Sequence, residues 1–216
     1  MQLSVVEPEK NYRQYFDLED RTVNGKPRYI FAATNEAEEL YLVKCAEEQE
    51  SVEKAKILIA DGKKMYANDN LWGAAQNYKE GIRFDPSNVD AYSELGDTLL
   101  KLGLYRDALE PLNRALPLTR DMRLRSRIYD DIGLAKSKLG DQAHALSSFG
   151  LSLECNPRNH HALVRRGISH SITGQHDRAY TDALMALRLR PGYPPALQLK
   201  RKLEVSGCIP PLGATG

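Results

Sequence analysis

Apolar residues fall at helical spacing in short blocks, and the blocks recur along the chain. In "AYSELGDTLLKLG", Tyr92, Leu95 and Leu99 share one helical face, and Gly103 offers a C-terminal stop. In the next block, "RDALEPLNRAL", Ala108, Leu109, Leu112, Ala115 and Leu116 repeat the pattern. Polar residues fill the opposite faces. The spacing predicts pairs of short helices joined by tight turns.

The pairs repeat. Gly62, Gly96, Gly133 and Gly167 stand 34, 37 and 34 residues apart. Twelve residues after each glycine stands an alanine: Ala74, Ala108, Ala145 and Ala179. Pro86, Pro157 and Pro191 follow three of the glycines by 24 residues. Small residues suit the point where two helices cross closely. Proline cannot continue a helix and turns the chain into the next unit.

These columns strongly resemble the tetratricopeptide repeat (TPR) family over about residues 55–193, in four repeats. The family pattern is W-x2-L-G-x2-Y, then A-x3-F, then P, at 34 residues. Leu58, Tyr92, Tyr129 and Leu163 fill the first large column, and Tyr78, Leu112, Phe149 and Ala183 follow the alanines. Asp61 and Arg166 stand where leucine is usual, Lys136 and His170 replace the tyrosine, and Arg120 occupies the proline position. The resemblance implies an all-α, right-handed superhelical solenoid. Its concave face is lined by the first helix of each repeat.

The ends differ from the repeats. After Pro191, "PPALQLKRKLE" places Ala196, Leu199 and Leu203 on one face, with Lys200, Arg201 and Lys202 toward water. That predicts a helix capping the array to about residue 204, with 205–216 a mobile tail. Upstream, no Gly or Pro lies between Pro27 and Gly62. Residues 35–54 therefore read as an additional helix capped by Asn35, with Glu36, Glu38 and Glu39 in its first turn. It either bends near Glu50–Ser51 or runs straight into repeat one. Residues 1–34 read as an irregular extension. Asn24–Gly25 could turn between two short strands, but Pro27 suits a central strand poorly.

Helical spacing lists the groove. The first repeat contributes Lys56, Ile59, Ala60 and Lys63, and the second Asp90, Ser93, Glu94 and Asp97. The third contributes Arg127, Asp130, Asp131 and Leu134, and the fourth His161, Val164, Arg165 and Ile168. From these, Asp90, Glu94, Asp97, Arg127, Asp130, Asp131, Leu134, His161, Val164, Arg165 and Ile168 form the expected partner-binding set. Co-chaperone members of the family clamp a C-terminal carboxylate with Lys, Asn and Arg. Here Glu94, Asp97 and Asp131 stand where amides and cations are needed, and only Arg165 fits. The acidic centre instead suits a partner segment carrying basic residues.

The stretch "PLTRDMRLRSRIYDD" holds four arginines and the three-residue slip in the period. Pro117 should end one helix near Leu116, and Asp121 or Thr119 can cap the next. Three residues are nearly one helical turn, so the phase survives. The simplest reading is a first helix lengthened by about one turn, with Arg127 paired to Asp130 and Asp131. A phosphate or acidic-peptide contact through Arg120, Arg123 and Arg125 is the alternative. No aromatics are interleaved for base stacking.

Charge adds a limit. Thirty basic against 29 acidic residues gives a net charge of +1, without the basic excess usual in nucleic-acid binders. Cys45, Cys155 and Cys208 offer neither a disulfide framework nor zinc spacing, which points to a reducing, cytoplasmic setting. No leader or membrane-length apolar run is evident. His144, His160, His161, His170 and His176 lack the spacing of a helical metal site, His160 and His161 pointing to different sides of a helix. No phosphate loop or nucleophile elbow occurs. The expectation is a non-enzymatic adaptor that binds a protein or peptide, without cofactor, metal, nucleic acid or membrane. The alternatives are an assembly subunit docking through its N-terminal extension or convex face, and a regulatory module of an enzyme encoded elsewhere.

Overall fold

The structure is a computed structural model that describes residues 19–23, 26–30 and 36–207, with side chains described from 47 to 207. Among these residues, an antiparallel hairpin precedes nine helices. Strands β1 (Glu19–Val23) and β2 (Lys26–Ile30) pair from Glu19 opposite Ile30 to Val23 opposite Lys26. The helices are α1 (Glu36–Ala67), α2 (Leu71–Phe84), α3 (Val89–Lys101), α4 (Tyr105–Leu118) and α5 (Met122–Lys138). They continue with α6 (Gln142–Cys155), α7 (His160–Ile172), α8 (His176–Leu189) and α9 (Pro194–Val205).

One boundary expectation changes, and one of two alternatives is taken at another. Residues 19–23 and 26–30 are not irregular, because a two-stranded ribbon has only edge strands and can place Pro27, opposite Thr22, without losing a central ladder. Of the two courses open to the additional helix expected at 35–54, it takes the straight one and is continuous with the first helix of repeat one. With no Gly or Pro in it before Gly62, α1 runs unbroken through 32 residues into repeat one. Exposed pairs Lys54–Glu50, at 2.9 Å and i,i+4 spacing, and Lys64–Asp61, at 2.8 Å and i,i+3 spacing, lie along it. The Asn35 cap, the Asn24–Gly25 turn and the tail beyond Gly207 lie outside the described residues.

Each odd-numbered helix packs on the helix after it, and α9 packs on both α8 and α7. Helices α1, α3, α5 and α7 also touch in succession, while among the described residues α2, α4, α6 and α8 do not touch one another. The first helices therefore lie on the inside of the curve and the second helices outside. The small columns make the pairing possible. A methyl group on Gly133 would lie 2.5 Å from the Phe149 ring, and Gly96 meets Leu112 in the same way. Ala74, Ala108, Ala145 and Ala179 are all completely buried. Gly103 closes α3 at φ 76°, where a side chain would be strained, and Leu104 N–H then reaches the Leu99 carbonyl at 2.9 Å.

Another column records the stacking of neighbouring repeats. Ala91, Ile128, Ala162 and Ala196 stand one repeat apart and are all completely buried. Ile57, at the same place in repeat one, is 58% exposed. At the other end, α9 buries Ala196, Leu199 and Leu203 as the capping reading requires. In the arginine stretch the lengthened first helix is present, but the preceding helix runs through Pro117 to Leu118 instead of ending near Leu116. Helix α5 has 17 residues against 13 in α3 and α7, so it is longer by four, about one turn. Asp121 caps it by accepting from Arg123 N–H at 2.8 Å. Thr119 Oγ1 in turn accepts from Asp121 N–H at 3.1 Å.

Candidate groove between the first helices

The inner face is crossed by polar contacts that join neighbouring repeats. Lys63 on α1 lies 3.8 Å from Asp90 on α3. The Tyr66 hydroxyl donates to Asp97, and the Lys101 ammonium sits 3.8 Å above the Tyr66 ring. Burial and then the Asp97 carboxylate push the Tyr66 phenol well above its ordinary pKa, so it stays a donor. Arg127 on α5 donates to Glu94 at 2.9 Å and to Ser93 at 3.0 Å, both on α3. Arg165 on α7 donates to Asp130 at 2.8 Å and lies 3.5 Å from Asp131, both on α5.

The last of these contacts is unbalanced. Asp130 and Asp131 are 5% and 6% exposed, yet they share one guanidinium. Asp130 Oδ1 is buried and accepts no hydrogen bond. Burial raises both carboxyl pKa values, and Asp130 raises Asp131 further, against the opposing pull of Arg165. A second cation placed here would supply the missing partner.

A model of the TPR repeat matches residues 62–103. The crystal structure of the MamA protein is similar over 72% of this chain and 84% of that one, at 26% identity and a TM-score of 0.62. The thermophilic TPR protein TTC0263 of Thermus thermophilus aligns over 71% and 82%, at 23% identity and a TM-score of 0.60. YrrB, described as a TPR protein with an unusual peptide-binding site, aligns over 76% and 82%, at 19% identity and a TM-score of 0.59.

Residues 62–103 carry a TPR repeat, and the chain has the fold of TPR proteins.

TPR repeats generally serve protein–protein interaction. Of the groove residues expected from sequence, the fold brings Glu94, Asp97 and Asp131 within electrostatic reach of Arg127, and Arg165 within reach of Asp131. Asp90, Ile168 and His161 are exposed on the first helices, and Leu134 is half-buried. Three expectations need correction. Val164 is 3% exposed and packs in the core with Ala196 and Tyr193, because α9 covers that side of α7. Asp130 and Asp131 are buried in the contact between TPR units rather than spread on an open acidic wall. Arg127 does not satisfy them in its own helix. It crosses to Glu94, and Arg165 takes the aspartates instead.

Helix spacing missed Tyr66 and Lys101, and Ser93, though placed in the groove, was left out of the partner-binding set. A signal existed. The cross-repeat partners stand 31 to 35 residues apart, close to one TPR period, so a search for acid–donor pairs at that offset would have found them. The arginine stretch is mostly structural. Arg125 donates to the carbonyls of Leu116 at 3.0 Å and Thr119 at 3.3 Å, satisfying the end of α4. Arg120 and Arg123 remain exposed. Among the described residues, no helix is long and apolar enough to cross a membrane.

Proposed function

We propose that this TPR protein is a non-catalytic cytoplasmic adaptor that holds a partner segment in its concave groove, with a Lys or Arg of that segment directed at Asp130 and Asp131. The observation that carries the reading is the buried aspartate pair with one guanidinium and an orphaned Oδ1. Around it, five carboxylates (Asp90, Glu94, Asp97, Asp130 and Asp131) face four cations (Lys63, Lys101, Arg127 and Arg165). The excess favours a positively charged guest, and a low-dielectric wall strengthens that preference. Exposed Ile168 offers apolar contact beside it. The peptide-binding site named for YrrB supports a peptide as the form of the guest. Widely spaced cysteines suit a reducing compartment.

Selection of a random peptide library on the immobilised protein tests this. Enriched peptides should share a Lys or Arg at a fixed position. Their affinity should fall several-fold with Asp131→Asn and with Glu94→Gln, while the helical circular dichroism is kept. Peptides without a basic preference, or equal binding to both variants, would overturn the reading.

A further inference from the structure

A second cluster lies at the start of α7. The rings of His160 and His161 stand 4.2 Å apart, contrary to the expectation that they point to different sides of the helix. Tyr193, in the turn before α9, sits edge-on to both, at 4.9 and 5.5 Å. Its hydroxyl is 2.9 Å from His161 Nδ1. The Arg190 guanidinium lies 5.2 Å from the centre of the Tyr193 ring and 3.3 Å from His160 Nε2. Among the described residues, no carboxylate pairs with any of these four side chains. The groups facing them are cationic, with Arg190 beside His160 and both Arg190 and Arg165 acting on His161. Arg165 stands one turn beyond His161 on the same helix.

A guanidinium can only donate, so His160 Nε2 must accept and be unprotonated in this arrangement. Protonating it would set two cations against each other with nothing between them. The first turn of α7 adds the positive end of the helix dipole. An anion at this point would offset these positive charges, accept from Arg190 and Tyr193, and turn both imidazoles into donors. We infer that His160, His161, Tyr193 and Arg190 form an oxyanion subsite that takes a carboxylate or phosphoryl group of a bound peptide. The subsite adjoins the proposed cation site, with Arg165 between them. Together they would fix the direction of a peptide bearing both charges. Occupation of the subsite takes up protons, so it strengthens as pH falls through the histidine range.

The test needs no partner, so it and the groove reading can fail separately. Imidazole resonances are followed by NMR against pH at matched ionic strength in chloride, acetate or inorganic phosphate. His144 serves as internal control, since it is exposed and pairs with Asp141 at 2.8 Å. The pKa values of His160 and His161 should rise saturably by at least about half a unit in acetate or phosphate. His144 should not follow, and Arg190→Ala should abolish the rise. A response to acetate identifies a carboxylate subsite, and a response to phosphate alone identifies a phosphoryl subsite. No saturable rise, an equal rise at His144, or a rise that survives Arg190→Ala would overturn the assignment.

Discussion

Arg166 and Asp182 tie the two helices of the fourth repeat together, with Nε and Nη2 donating to the two carboxylate oxygens at 2.9 and 2.7 Å. Arg166 occupies a position where this repeat family ordinarily places leucine, so a salt bridge replaces an apolar contact. Asp182 is buried, and losing its partner leaves a charge with no water to solvate it. Arg166→Ala should cost about 3–5 kcal/mol. Arg166→Leu combined with Asp182→Ala should cost much less, because no buried charge remains. Urea denaturation of the three proteins checks this. A double variant no more stable than the single one would show that the pair is not an isolated charge contact.

The crossing of α5 and α6 makes a sharper packing prediction. Gly133→Ala puts a methyl group 2.5 Å from the Phe149 ring, and that ring is buried. The overpacking should cost about 1–3 kcal/mol. Adding Phe149→Leu should recover part of the loss by making room. Thermal melts of the single and double variants separate this from an intrinsic helix effect, which would favour alanine over glycine and raise stability.

These two cases mark the limit of what the sequence made legible. Gly133 and Phe149 belong to columns that recur once per repeat, so the same contact is written several times and can be read by its period. Arg166 breaks its column, and nothing local announces that Asp182, on the next helix, compensates. The groove divides in the same way. A helical wheel grouped Glu94, Asp131 and Arg165, and each of them meets a neighbouring first helix. It could not show that α9 covers Val164, because that depends on the angle at which helices cross. Arg127 was paired by the i,i+3 and i,i+4 rule, which knows only one helix, while its partner Glu94 lies 33 residues away in the neighbouring repeat.

The cap on the array is testable through its buried face. Leu199 contacts the Gly167 position, and Leu203 is almost fully buried. Leu199→Ala should cost about 2–5 kcal/mol through lost burial and the cavity left behind. Leu197→Ala, on the exposed side of the same helix, should stay within about 0.5 kcal/mol. Equal effects at the two positions would mean that α9 does not dock in solution. Because neighbouring repeats share a core, loss of the cap should lower the midpoint of the whole transition rather than release one helix.

The aspartate pair predicts a pH dependence whose sign is unusual for carboxylates. Burial lifts Asp130 to about 6 and Asp131 to about 7, both from 3.8. Between those limits the folded protein holds more protons than the unfolded chain, so the pair's contribution falls as pH rises. It is full below about pH 4 and lost above about pH 7. Other groups act in the opposite sense. His160, His161 and His170 have lowered pKa values, so their contribution is lost as pH falls through the histidine range. The wild-type curve therefore mixes both signs, and the useful quantity is the difference between wild type and Asp131→Asn. That substitution removes the less compensated charge and leaves Arg165 its 2.8 Å contact with Asp130. The variant's melting temperature relative to wild type should increase as pH is raised from about 4 to about 7 and level off beyond. Melts followed by circular dichroism across that range measure it. A difference independent of pH would show that Asp131 is not a buried anion in the folded protein. The same measurement with a bound basic peptide should flatten the rise, because the guest cation restores the ionised pair.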